Sequence, residues 1–118
     1  MMIYFKGFAQ TLGLTRWLDE VAEEDGPIVA AMKSLGGVPF CTTNFPQTLK
    51  SFGCGNPIYG DACNPGDATR TPGGSSGGEG ALIAAGGSLI GLGTDVGGSV
   101  GLLVHNLRGL GIESSGPS

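Results

Sequence analysis

Two serines, each preceded by a pair of glycines, are the residues of this chain best suited to chemistry. The segment Gly73–Ser75 reads Gly-Gly-Ser, and so does Gly97–Ser99. Glycines around a hydroxyl let the backbone approach a ligand and leave N–H groups open to bind it. Because each glycine costs backbone entropy on folding, a chain rarely uses so many for packing alone. We therefore interpret residues 71–100 as a ligand-binding or catalytic stretch.

A serine hydroxyl is a poor nucleophile unless a base takes its proton and N–H donors stabilise the oxyanion. The turn that ends at Ser99 has little side-chain obstruction, so its backbone N–H groups are predicted to form an oxyanion hole beside an attacking Ser99 hydroxyl. The predicted donors are Val96, Gly97, Gly98 and Ser99. His105, the only histidine, lies too close to Ser99 along the chain to turn back as the base.

Other motifs in the glycine-rich stretch are weaker. The G-x-S-x-G pattern of α/β-hydrolases matches at Gly73–Gly77, at Gly74–Gly78 and at Gly97–Gly101. Repeated matches within one glycine-rich stretch carry little information. Neither the phosphate-binding pattern G-x-x-x-x-G-K-S/T nor the dinucleotide pattern G-x-G-x-x-G occurs. The sequence therefore favours a serine nucleophile over a nucleotide site.

Residues 25–41 predict one helix followed by one strand. Asp25 suits a helix N-cap, with Pro27 in the first turn. Apolar residues then recur at helical spacing until a glycine pair ends the helix; they are Ile28, Val29, Met32 and Leu35, followed by Gly36 and Gly37. The apolar run Val38–Cys41 predicts a short buried strand.

A second helix–strand unit carries the two serines. Residues 76–85 predict a buried helix that begins at the serines, 88–93 predict a short buried strand, and 94–99 predict a glycine turn. Between the two units, residues 42–70 predict a long ordered loop with one short helix at 46–52, and loops of this length are often functional. The alternation of helices with strands predicts the α/β class.

Composition excludes several classes of function. The chain has 118 residues, 24 glycines, a net charge of −4 and only six Lys and Arg, so no basic surface for nucleic acid is expected. Three cysteines and one histidine lack ligand spacing, which predicts reduced thiols and no metal site. No signal peptide and no apolar run of about 18 residues is present, which predicts an intracellular chain without a membrane span. The glycine excess favours a piece of a larger domain.

Two segments resemble the signature of the amidase family. Residues 72–80 read PGGSSGGEG and residues 93–99 read GTDVGGS. The sequence of this long motif is most similar to that of fatty-acid amide hydrolases. Shorter upstream pieces also resemble that subgroup: VPF at 38–40, TNFPQ at 43–47, and NP at 56–57 and 64–65. The resemblance covers residues 6–99. It implies a partial amidase-signature fold, a mixed sheet flanked by helices that is incomplete in this chain.

The resemblance implies a Ser–Ser–Lys triad that hydrolyses amides. Ser99 would be the nucleophile that forms the acyl ester, and Ser75, in a cis peptide after Gly74, would pass a proton between Ser99 and a lysine. That lysine must be buried in order to be neutral and act as a base. By position, Leu49 and Ser75 would contact substrate. The residues implied to support the site are Gly74, Ser76, Thr94 and Asp95.

The chain departs from the family pattern at both ends. The triad lysine aligns just before Met1, and Lys6 matches a later position without a catalytic role. Residues 100–118 diverge from the family sequence. Because loss of a triad member costs orders of magnitude in rate, the chain alone is expected to have little or no activity.

The implied partner is a lipid amide, hydrolysed to a fatty acid and an amine, with no cofactor, no metal and no nucleic acid. Membrane association is implied only through segments outside these residues. Two alternatives stay open. One is a non-catalytic remnant or interaction fragment, and the other is a different amidase-signature branch, such as the tRNA amidotransferase subunit.

Overall fold

The structure, a computed structural model, describes residues 3–95 and 98–101. It contains two helices and one small sheet: α1 spans Pro27–Ser34, β1 spans Gly55–Asn56, β2 spans Gly60–Asp61 and α2 spans Gly77–Ala84. A single turn of 3-10 helix covers Thr15–Trp17, and Gln47–Leu49 form a turn in which Thr48 has a non-helical φ of 58°. Within these described ranges, neither helix is long and apolar enough to cross a bilayer.

Helix α1 confirms the first predicted helix but has a different cap. Pro27 takes a position in the first turn, and the N-cap is Gly26. The prediction of Asp25 as the cap is therefore wrong. Its carboxylate instead accepts hydrogen bonds from the Lys6 backbone N–H at 2.9 Å and from the Lys33 ammonium at 2.5 Å. Asp25 thus ties the N-terminal segment to the last turn of α1.

Helix α2 confirms the second predicted helix, but the prediction that the helix is buried is wrong, because only Gly77 and Gly78 are buried in it. These first glycines pack against the preceding loop. A Cβ on Gly77 would lie 2.5 Å from the Cβ of Cys54, and a Cβ on Gly78 would collide with the backbone of Asn44. The Gly78 N–H and the Cys54 thiol both donate to the Asn44 carbonyl, at 3.0 and 3.2 Å. Burial raises the pKa of the Cys54 thiol. Only a helix without side chains at these positions can approach the loop so closely.

The two predicted strands do not form within the described residues. Residues 38–41 and 88–93 form no ladder with another segment, and several of their apolar side chains are exposed: Val38, Phe40, Leu89 and Ile90. The prediction of buried strands is wrong here, because an apolar run indicates burial but a strand also needs a partner for its backbone groups. Instead, β1 and β2 pair as an antiparallel hairpin inside the predicted loop.

Asn56, at the end of β1, orders the long loop between the two helices. The residue is 9% exposed and uses its donors and its acceptor. Its Nδ2 donates to Asn44 Oδ1 and to the Phe45 carbonyl, each at 2.8 Å. Its Oδ1 accepts the backbone N–H groups of Ile58 and Tyr59, each at 3.0 Å. The buried Asn56 side chain therefore supplies hydrogen-bond partners to backbone groups of the loop, which in a larger sheet would pair with neighbouring strands.

Replacing Asn56 with alanine is expected to lower the free energy of unfolding by about 3 kcal/mol, because several buried polar groups lose their partner. Urea denaturation followed by circular dichroism measures the change. Asn64→Ala is the matched control, since Asn64 Oδ1 accepts one exposed hydrogen bond, from the Gly66 N–H. Its expected loss is below about 1 kcal/mol. Equal losses in the two variants would contradict the role assigned to Asn56.

Candidate active site

The hydroxyl of Ser99 is the centre of a cluster of three serines. Ser99 is 8% exposed, and its Oγ accepts the backbone N–H groups of Ser75 at 2.9 Å and of Ser76 at 2.8 Å. The same oxygen lies 3.0 Å from Ser75 Oγ and 2.9 Å from Ser76 Oγ. The fold thus brings the two Gly-Gly-Ser segments into direct contact, which a nucleophile and its bridging serine require.

The glycines before Ser75 shape the turn that carries it. The Gly74–Ser75 peptide bond is cis, as the family resemblance implies. Gly73 has a φ of 99°, in the left-handed region that favours glycine. A Cβ on Gly74 would collide with the Gly53 carbonyl and would lie 2.7 Å from the Ser51 carbonyl oxygen. The glycine pair therefore lets this turn approach the backbone of Ser51 and Gly53 closely, and its role is not to provide flexibility.

Ser76 is more central than the supporting role implied for it. Besides its contact with Ser99, its hydroxyl accepts the Thr94 N–H at 3.2 Å and lies 3.3 Å from the Thr94 carbonyl oxygen. Ser76 is also the N-cap of α2, but its side chain makes no capping bond. Because Ser76 and Glu79 have capping-box spacing, the local sequence favours a cap. The tertiary structure turns this hydroxyl toward Ser99 instead.

Asp95 holds the turn on which Ser99 lies. Its carboxylate accepts the backbone N–H groups of Gly98 at 2.5 Å, Val100 at 2.7 Å and Gly101 at 3.2 Å. Burial raises the pKa of this carboxyl, but the N–H groups of Val100, Gly98 and Gly101 outweigh burial and leave the pKa below its ordinary value of 3.8. The ionised carboxylate therefore stabilises the turn around the serine cluster.

Acidification is expected to loosen this turn. Because folding lowers the pKa of Asp95, its contribution to stability is complete above the unfolded value of 3.8 and is lost as the pH falls through the lower folded value. Urea denaturation of wild type and Asp95→Asn at about pH 7 and about pH 2 measures the effect. Asp95→Asn should be less stable than wild type at the higher pH, and the difference in free energy of unfolding between the two proteins should shrink at the lower pH. A difference independent of pH would count against this role.

The predicted oxyanion hole is described only in part. Val96 and Gly97 lie outside the described residues, as do His105 and the rest of residues 102–118. The Gly98 N–H donates to Asp95 in this structure, so it is engaged rather than open. An oxyanion hole from Val96 to Ser99 stays a prediction, and its Gly98 donor would have to leave Asp95 to bind an oxyanion.

A cavity of about 850 Å³ adjoins the serine cluster. Its wall is mostly apolar, and Ser75, Ser76 and Glu79 contribute polar groups to it. The Glu79 Oε2 accepts the Thr43 hydroxyl at 2.8 Å, so this carboxylate is held within the wall. Leu49, for which the resemblance implies contact with substrate, also lines the cavity. The site thus combines a cluster of hydroxyls with an adjoining apolar space.

Several known proteins are similar to this chain in sequence, and a solved structure is similar to it in fold. A sequence profile of the Amidase family matches residues 2–102. The chain is 54% identical over 110 residues to fatty acid amide hydrolase 1 of Caenorhabditis elegans, covering 93% of this chain and 19% of that protein. It is 55% identical over 95 residues to fatty-acid amide hydrolase 1 of Sus scrofa, covering 80% of this chain and 16% of that protein. A solved fatty acid amide hydrolase superposes with a TM-score of 0.83 at 32% identity, over 86% of this chain and 18% of that one.

These matches confirm the resemblance seen in the sequence and the partial α/β fold expected from it. The chain spans about a fifth of the length of the curated relatives that it matches. The glycine-rich stretch and its serine cluster lie within the segment that the family profile covers.

Proposed function

The chain belongs to the amidase family, and on that premise we propose that it supplies the nucleophile and the bridging serine of a serine amide hydrolase. One observation carries the proposal: the Ser99 Oγ receives two backbone N–H groups and contacts two further hydroxyls. N–H groups directed at an oxygen favour its anionic form, and an adjacent hydroxyl gives its proton a route away. This environment suits an oxygen that attacks a carbonyl carbon.

The proposed reaction passes through an acyl ester. Ser99 Oγ attacks the amide carbonyl carbon while its proton moves to Ser75 Oγ, and the Ser75 proton moves to the base. The C–N bond then breaks, the amine leaves with a proton returned along the same route, and the acyl group stays on Ser99. Water attacks the ester and releases the carboxylic acid. The 3.0 Å between the two oxygens lies within the range for direct proton transfer.

We propose that the base is a lysine outside these 118 residues. In the part of the chain that the structure describes, no hydrogen bond joins a lysine to Ser75 or Ser99, and Lys33 pairs with Asp25. The family resemblance aligns the triad lysine just before Met1. Without it, no hydrogen bond among the described residues joins Ser75 or Ser99 to a base, so the rate of the chain alone is expected to fall by orders of magnitude.

We further propose that the substrate is a lipid amide, cleaved to a fatty acid and an amine. The mostly apolar wall beside the serines favours an aliphatic chain over a charged group. The relatives named for fatty acid amides support the same class. An amidase branch that acts on tRNA would need a basic surface, and a net charge of −4 with six Lys and Arg does not favour one.

Labelling with an alkyl fluorophosphonate tests the nucleophile. The serine oxygen attacks phosphorus and displaces fluoride, and peptide mass spectrometry locates the adduct. A form extended by the residues encoded upstream of Met1 is expected to be labelled on Ser99. The chain of 118 residues is expected to react at least about 10³-fold more slowly.

The outcomes separate the parts of this proposal. A folded, extended chain with no adduct on Ser99 would be a non-catalytic remnant, and the proposed function would fail. Equal labelling rates in the two forms would support Ser99 as the nucleophile but would rule out a base upstream of Met1. Cooperative unfolding in urea establishes that each form is folded when it is labelled.

A further inference from the structure

Two neighbouring turns have a backbone conformation that their side chains disfavour. Leu12, Thr48 and Leu49 have φ values of 45°, 58° and 61°, in the left-handed region where residues other than glycine are uncommon. Across residues 3–95 and 98–101, no other non-glycine residue has a positive φ. Since such conformations persist only where the surrounding structure imposes them, their clustering at one place points to a function.

The two turns are locked to each other. The Thr48 N–H donates to the Leu12 carbonyl at 2.8 Å. A Cβ on Gly13 would lie 2.9 Å from the Cα of Gln47, so the two backbones are in direct contact. Thr11 is 1% exposed, and its Oγ1 accepts the Gly13 N–H at 3.2 Å. The surrounding contacts therefore hold both turns in place.

The paired turns, residues 11–13 and 47–49, place two leucines at the cavity. Leu12 and Leu49 both line it, whereas Thr48 does not. Both leucines are half-buried, so neither belongs to a closed core. An apolar side chain held rigidly at the wall of an apolar cavity limits the space for an occupant.

We propose that Leu12 limits the length of the alkyl chain that the cavity admits, and that the hydrogen bond from Thr48 holds it in position. The inference deepens the proposed function and rests on it, because it assigns the cavity to the aliphatic part of the amide. Leu12 contacts the chain rather than the reacting atoms, so it determines specificity. Each methylene that enters the cavity should raise affinity about fourfold until the wall is reached.

Competition of primary alkyl amides with a fluorescent fatty acid measures this limit in the chain of 118 residues. For wild type, affinity should rise with chain length and then stop rising. Leu12→Ala should extend the limit by about two methylenes, which raises affinity for an amide two methylenes longer than the wild-type limit about 15-fold. Leu12→Phe should shorten the limit. The matched control is Leu35→Ala, since Leu35 is 84% exposed and does not line the cavity.

Two further variants test the role of Thr48. Thr48→Gly keeps the N–H and the positive φ, so the limit should be retained. Thr48→Pro removes the donor and cannot adopt a positive φ, so the limit should be lost. The same chain-length limit in Thr48→Gly and Thr48→Pro would overturn the role assigned to the Thr48 hydrogen bond.

An unchanged limit in both Leu12 variants, or no dependence on chain length in wild type, would overturn the inference. The alanine and phenylalanine variants shift the limit in opposite directions, so loss of folding in one leaves the other decisive. Binding is measured without catalysis and is therefore independent of Ser99 labelling. A shifted limit with no label on the extended chain would support the role of Leu12 in the cavity and would reject the proposed hydrolase.

Discussion

Replacing Ser99 with alanine is expected to abolish fluorophosphonate labelling and to lower kcat/KM for a lipid amide by roughly 10⁴- to 10⁶-fold. The substitution removes the one oxygen that receives the N–H groups of both Ser75 and Ser76. Without it, no acyl ester forms at this position. Both quantities are measured on the form extended upstream of Met1, by mass spectrometry and by release of the fatty acid.

Two further serine variants serve as controls for that result. Ser34→Ala should leave labelling unchanged, because the Ser34 hydroxyl donates to the Ala31 carbonyl on the exposed side of α1. Ser75→Ala keeps the N–H that binds Ser99 but removes the bridging hydroxyl, so Ser99 should still be the labelled residue at a much lower rate. An adduct on Ser75 or Ser76 in Ser99→Ala, formed at the wild-type rate, would show that another serine is the nucleophile.

Replacing Gly78 with alanine is expected to lower the free energy of unfolding by about 3 kcal/mol. Two effects oppose each other at this position. Alanine is favoured over glycine within a helix by about 1 kcal/mol, but its Cβ would collide with the backbone of Asn44. Steric repulsion should dominate, because a backbone segment cannot rotate away as a side chain can. Urea denaturation followed by circular dichroism measures the balance.

Gly66→Ala is the control for Gly78→Ala. A Cβ on Gly66 would lie 3.4 Å from Asn64 Oδ1, an ordinary contact at an exposed turn. Its stability should therefore stay within about 0.5 kcal/mol of wild type. A Gly78→Ala variant more stable than wild type would mean that helix propensity dominates and that α2 does not pack on Asn44 as described.

The two helices were predictable because a helix forms its hydrogen bonds within one segment. Pro27 and the apolar spacing after it specify α1 without knowledge of any other part of the chain. The strands predicted at 38–41 and 88–93 depended on partners elsewhere in the chain, and within the described residues no ladder joins them. The hairpin of β1 and β2 was missed because its strands are two residues each, too short for an alternating pattern.

By itself, the sequence determined the family, the two helices and the two serines, since these depend on residue type and on spacing along the chain. The tertiary structure alone decided which groups meet. Ser76 and Asp25 both have the chemistry of helix caps, yet one contacts the Ser99 hydroxyl and the other binds Lys33. Residue type limits the partners that a polar group accepts, but the partner within hydrogen-bonding distance depends on packing between segments distant in the chain. For Ser99, that packing places its hydroxyl against Ser75 and Ser76.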